Sequence, residues 1–183
     1  MSLVLGYCDG TTGIIASDGR AGGTVCPSEE YNKTRVINKN IILGFVGYKE
    51  SCEYFLDCAN KCMGSNIEDY YIDDYLEVVE FGMNKKSTQE HLQSTFMIMG
   101  KTKTGEIKFV ITGQDTGYKT KFLPTQGNLA FIGGTISISK IREICEYNSA
   151  MKVGKIMNVM IRIIRDVAKL DNSVNTTCYF IFL

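Results

Sequence analysis

The chain of 183 residues has a single histidine, His91, no excess of charge of either sign, and no long apolar run. Each absence removes a class of function. With 20 basic against 20 acidic residues, the protein projects no long-range field toward nucleic acid or an anionic membrane. Its lysines and arginines are scattered rather than striped, which also argues against a nucleic-acid partner. No apolar stretch approaches the ~20 residues that a helix needs to span a bilayer. The opening Met1-Ser2-Leu3 lacks the basic and apolar regions of a secretory leader, so a cytoplasmic setting is expected. There is no linker, internal repeat or low-complexity segment. One domain over residues 1–183 is expected, long enough to bury a real core.

Cysteine occurs at positions 8, 26, 52, 58, 62, 145 and 178. An odd number without a leader argues for reduced thiols rather than a disulfide framework. Cys52, Cys58 and Cys62 fall in one helical segment. No CxxC pair accompanies them and there is only one histidine, so they read as small buried apolar side chains rather than metal ligands. Neither a metal nor an organic cofactor is expected.

Hydrophobic periodicity organises the rest. Leu3–Cys8 and Gly13–Ala21 are apolar runs separated by Asp9-Gly10-Thr11-Thr12, a hairpin signal. Arg35–Ile37 and Ile41–Val46 form a second pair around Asn38-Lys39-Asn40. Both pairs are nearly continuous in apolar residues, which predicts a sheet covered on both faces. The period then changes. Lys49–Met63 and Ile67–Lys86 read as helices, divided by Gly64-Ser65-Asn66. Strands return at Ser94–Gly100, Glu106–Thr112, Tyr118–Leu123 and Leu129–Ile132. Helices follow at Ser137–Tyr147 and Lys152–Lys169, and Thr177–Phe182 is a last strand. Two helix pairs set between groups of strands predict two packed sheets with a helical layer outside each.

The informative stretch is the first 47 residues. Gly13-Ile14-Ile15-Ala16-Ser17-Asp18-Gly19-Arg20-Ala21-Gly22-Gly23 ends an apolar strand in an acid, a small residue and an arginine. Lys33 then opens a strand pair that closes on Gly44-Phe45-Val46-Gly47. With these segments the chain resembles proteasome β subunits and the bacterial HslV peptidase. The resemblance implies an α+β fold, a four-layer αββα sandwich of the N-terminal-nucleophile-hydrolase type. In that family a mature N-terminal threonine attacks the substrate carbonyl, helped by its own amine and a lysine. An aspartate holds the lysine, and a glycine N–H stabilises the oxyanion.

Carried onto this chain, the resemblance assigns Asp18 and Lys33 the aspartate and lysine roles, Gly47 the oxyanion donor and Ser2 the nucleophile. Met1 is readily removed before so small a residue as Ser2. Asp171-Asn172-Ser173 takes the place of the family's supporting Asp and Ser, and Arg20 and Gly22 lie in the segment that lines the substrate pocket. The chain departs from the pattern in four ways. Serine stands in place of threonine, and one residue fewer separates Ser2 from Lys33. Gly133-Gly134-Thr135 replaces Gly-Ser-Gly, and Ser173 follows its acid by two residues. Thr11-Thr12 mimics a mature double threonine but sits in a hairpin turn. The resemblance further implies a peptide or protein substrate and a homo-oligomer such as a ring, with an ATPase partner left open. The alternative is a catalytically silent structural or binding subunit that keeps the fold without a free nucleophile.

Overall fold

The structure, a computed structural model, describes residues 2–21, 28–150 and 155–183. Among the described residues nine strands form two antiparallel sheets. In the first, strands β1 (Leu3–Cys8), β2 (Gly13–Asp18), β8 (Asn128–Gly133) and β9 (Cys178–Phe182) lie in the order β8-β1-β2-β9. In the second, β3 (Thr34–Asn38), β4 (Ile41–Gly47), β5 (Ser94–Lys101), β6 (Ile107–Gly113) and β7 (Lys121–Leu123) lie in chain order.

Strand alternation decides what each sheet face meets. On β1 and β2, Leu3, Leu5, Ile14 and Ala16 pack against helices α4 (Ile138–Ala150) and α5 (Ile156–Ala168), through Ile141, Met160, Ile163 and Val167. The alternate residues Val4 and Ile15 face the second sheet and meet Ile42, Val46, Met97 and Phe109. On that sheet Ile41, Leu43 and Phe45 point the other way, into helices α1 (Lys49–Met63) and α2 (Ile72–Met83). The result is helix, sheet, sheet, helix, the four-layer αββα sandwich. The sheets approach so closely that a Cβ on Gly44 would stand 2.7 Å from Val4 Cγ1.

Some boundaries differ from the sequence reading. The segment expected to be helical over 67–86 is broken. Residues 64–69 form a 3₁₀ turn, and the helix starts at Ile72, where the Asp74 carboxylate accepts the Tyr71 N–H at 3.1 Å. It stops at Met83, and a separate short helix α3 (Lys86–His91) follows. The strand expected over 118–123 shortens to β7 because Tyr118 adopts φ +62°, with its hydroxyl 2.8 Å from the Leu92 carbonyl. The strand expected to reach Ala21 ends at Asp18, and Ala21 makes only an isolated bridge to Ser28. Thr11-Thr12 does sit in the β1–β2 turn, where the Asp9 carboxylate accepts both their N–H groups. Of the three helical thiols Cys52 is buried, Cys58 is half-buried and Cys62 is exposed, which corrects their shared assignment to the core. Among the described residues no helix is long and apolar enough to cross a membrane.

Candidate active site

The site forms where β1 begins and β2, β3 and β4 end or start. Asp18 is the last residue of β2 and has no solvent exposure. A buried carboxylate needs donors, and four converge on this one. Lys33 Nζ lies 2.9 Å from Oδ1, and the Leu3 N–H donates to the same oxygen at 2.9 Å. The N–H groups of Arg20 and Asn175 reach Oδ2 at 3.0 and 3.3 Å. Lys33 also donates to the Asp18 carbonyl at 3.0 Å and is itself 3 % exposed. Burial pushes the Lys33 ammonium below its ordinary value, against the opposing pull of Asp18 and Glu29. The partner of Asp18 is thus Lys33; Arg20 contributes only its backbone N–H.

Ser2 immediately precedes the Leu3 amide that shares an Asp18 oxygen with Lys33, so the sequence-derived nucleophile and lysine lie beside one carboxylate. Ser2 is 4 % exposed. Its carbonyl accepts the Gly134 N–H at 2.8 Å, and its hydroxyl donates to the Arg20 carbonyl at 2.9 Å. Gly133 makes this approach possible. At φ +88° it sits against the Ser2 carbonyl, where a Cβ would come within 1.9 Å of the oxygen and 2.9 Å of Val46 Cγ1. The start of β1 and the end of β4 therefore meet at one glycine.

Gly47 ends β4 at φ +123°, and a Cβ there would fall 2.3 Å from the Gln93 carbonyl. The Phe45 N–H points to β3, donating to the Lys33 carbonyl at 3.1 Å. By strand alternation the Gly47 N–H lies on that same β3 side, away from β5.

Asp171 and Ser173 bond to each other, and among the described residues neither shares a hydrogen bond with Ser2. Asp171 is 1 % exposed. It accepts the Ser173 hydroxyl at 2.6 Å, the Ser173 N–H at 2.9 Å and the Thr135 hydroxyl at 2.6 Å. The Thr135 N–H donates to it as well. Burial alone would raise the Asp171 carboxyl; the hydrogen bonds from Ser173 and Thr135 outweigh it and hold the group well below the usual carboxylate range. This anchor reaches Ser2 through the Gly133-Gly134-Thr135 turn. The Arg20 guanidinium is engaged by Glu29 at 2.7 Å and by the Asn172 carbonyl. Gly22 lies outside the described residues.

Two residues escaped the sequence reading. Thr135, read from sequence only as a departure from Gly-Ser-Gly, binds Asp171 through its N–H and hydroxyl, and its place beside Gly134 was the available signal. Asn175 carries no local signal. Its side chain accepts the Gly19 N–H at 2.8 Å and donates to the Glu29 carbonyl at 2.7 Å, tying the end of β2 to the segment that leads into Lys33.

No family model and no curated protein matches the sequence. Solved structures do match the fold. The chain is similar to eukaryotic HslV from Trypanosoma brucei, at TM-score 0.72 and 12 % identity over 99 % of this chain and 98 % of that one. It is also similar to the Gly-1 mutant of Anbu from Hyphomicrobium sp. strain MC1, at TM-score 0.79 and 12 % identity over 100 % and 81 %. Anbu from Yersinia bercovieri, described as an ancestral β-subunit, matches at TM-score 0.73 and 11 % identity over 98 % and 80 %. At such identities the likeness speaks for architecture and not for activity. The chain has the HslV- and proteasome-type N-terminal-nucleophile fold.

Proposed function

We propose that this chain is an N-terminal-nucleophile hydrolase of peptide or other amide bonds, acting after loss of Met1. The observation that carries the reading is the buried Lys33–Asp18 pair at 2.9 Å, sharing its carboxylate oxygen with the amide next to Ser2. Removal of Met1 converts the Ser2 amide into an amine with an ordinary pKa of about 7.7–8.0. Beside the Lys33 charge that amine is held neutral more easily and accepts the hydroxyl proton as Ser2 Oγ attacks the carbonyl. The Gly47 N–H faces the developing oxyanion, and the amine returns the proton to the leaving nitrogen. Water then hydrolyses the acyl-enzyme. No step calls on a metal or an organic cofactor. We further propose self-association, with a peptide or protein as substrate and a cytoplasmic setting.

A second reading, a silent subunit with a structural or binding role, is favoured by one observation. The Ser2 hydroxyl proton is given to the Arg20 carbonyl rather than held free for a base. The two readings separate by intact mass and covalent labelling of protein expressed from its own start codon. The hydrolase reading expects a mass lacking Met1, an electrophilic peptide adduct on Ser2, and loss of both adduct and turnover in Ser2→Ala to below roughly a thousandth. Retention of Met1 with no adduct makes the silent subunit the answer.

A further inference from the structure

The Gly47 turn is held from behind by side chains that the proposed chemistry does not use. Gly47 is paired with Ser94 across β4 and β5, and Ser94 is buried with its hydroxyl turned toward the first turn of α1. Tyr48, the residue that starts this helix, offers no side-chain cap to the helix N–H groups. The stabilising contacts come from Ser51, Cys52 and Ser94.

Counting protons fixes the direction of their hydrogen bonds. The Ser51 hydroxyl donates to the Tyr48 carbonyl at 3.0 Å, which uses its one proton. In its 3.2 Å contact with Ser94 Oγ it must therefore accept, and Ser94 is the donor. Ser94 in turn accepts the Cys52 thiol at 3.0 Å. Burial pushes that thiol up to about 12, so it remains a protonated donor. The chain runs in one direction, from Cys52 through Ser94 and Ser51 to the carbonyl of Tyr48. Each link polarises the next. The Cys52 N–H donates to the same carbonyl at 3.0 Å. That carbonyl belongs to the residue after Gly47, and Ser94 Oγ lies 2.5 Å from where a Gly47 Cβ would stand. Gly47 is thus pinned on both sides of a backbone conformation that only glycine adopts easily.

We propose that Ser94 is a positioning residue, which through its hydrogen bonds to Cys52 and Ser51 sets the direction of the Gly47 N–H. This inference rests on the reading of Gly47 as oxyanion donor. It predicts a specific division of effects, because an oxyanion donor acts on the transition state and not on substrate binding.

Ser94→Ala tests it, measured as kcat and KM with a peptide amide substrate and as hydrogen exchange of the Gly47 amide. A small misplacement of a reacting group carries a large cost, so kcat should fall roughly tenfold or more, with KM within about twofold. Gly47 exchange should quicken while amides of β1 and α5 keep their rates. Ser94→Thr, which keeps the hydroxyl, should restore most of both. Ser51→Ala, at the helix surface, should move both readouts in the same direction by less, and it serves if Ser94→Ala does not fold. Unchanged kcat and unchanged Gly47 exchange in a folded variant overturn the proposal. So does a threonine variant that fails to rescue although it melts like the wild type. If the wild type hydrolyses nothing and Ser2 takes no adduct, the hydrolase reading has failed. Gly47 exchange then decides the anchoring by itself, and no change in it refutes the role of Ser94.

Discussion

Lys33→Met is the sharpest perturbation of this structure. It removes the cationic partner, the only one among the described residues, of a carboxylate with no solvent exposure while keeping most of the lysine's apolar volume. Breaking a buried ion pair by deleting one side costs about 3–5 kcal/mol, because the other charge stays buried and uncompensated. Asp18 keeps the N–H groups of Leu3, Arg20 and Asn175, so the lower end of that range, about 3 kcal/mol, is expected. For a domain of this size that corresponds to a fall in Tm of roughly 6–12 °C. The pH dependence adds a second test. Lys33 is pushed below its ordinary 10.5 by burial, so between its folded value and 10.5 the unfolded chain binds more protons than the native one. The Lys33 contribution to stability must therefore rise with pH across that alkaline window and be flat below it. Subtracting the Lys33→Met curve from the wild-type curve, both from urea denaturation between pH 7 and 10.5, isolates this rise from other alkaline groups. Asp18→Asn combined with Lys33→Met should recover part of the loss, since no buried charge remains. A loss under about 1 kcal/mol at pH 7, the value of a solvated pair, would refute the buried pair and with it the electrostatics of the site.

Other perturbations probe the supports. Gly133→Ala places a Cβ 1.9 Å from the Ser2 carbonyl at a positive φ, so a loss of about 3 kcal/mol or more is expected; a thermal melt within 2 °C of wild type, an outcome within about 1 kcal/mol, contradicts the packing. Asp171→Asn should leave stability near neutrality lowered and remove part of its acid dependence. The native carboxyl lies below its ordinary 3.8, so its contribution is present above that value and lost as pH falls below it, readable as urea midpoints at pH 6 and pH 3. Asn175→Ala should cost about 1–2 kcal/mol by leaving the Gly19 N–H without its acceptor. Asn175→Asp should be worse, because its carboxylate faces Glu29; equal or better stability in the aspartate variant would mean that the Asn175–Glu29 contact does not form. Light scattering of the purified protein should give a mass well above 20.4 kDa, and a clean monomer argues against self-association.

What the sequence determined by itself is what short-range chemistry encodes. Alternating and continuous apolar runs set the strands, and 3.6-residue periodicity set α1 and α5, because burial of one face is a local pattern. The order of elements, with two helix pairs between groups of strands, dictated layers rather than a wound sheet. The Asp18–Lys33 contact was legible because both residues punctuate strand ends at a recognisable spacing. One slip came from a local contact, the Tyr71–Asp74 cap that opens the helix at Ile72, and another from a non-local one. Tyr118 reached back to Leu92 and cut β7 short, and no feature of residues 118–123 encodes that. Only the tertiary structure decided which cation Asp18 would bury against, since Arg20 is nearer in sequence but Lys33 is delivered by the neighbouring sheet. Only the tertiary structure, too, joined Thr135 to Asp171, Asn175 to Gly19 and Ser94 to the Gly47 turn. These partners lie far apart along the chain, and a polar side chain acquires its role from the buried group that it is folded against.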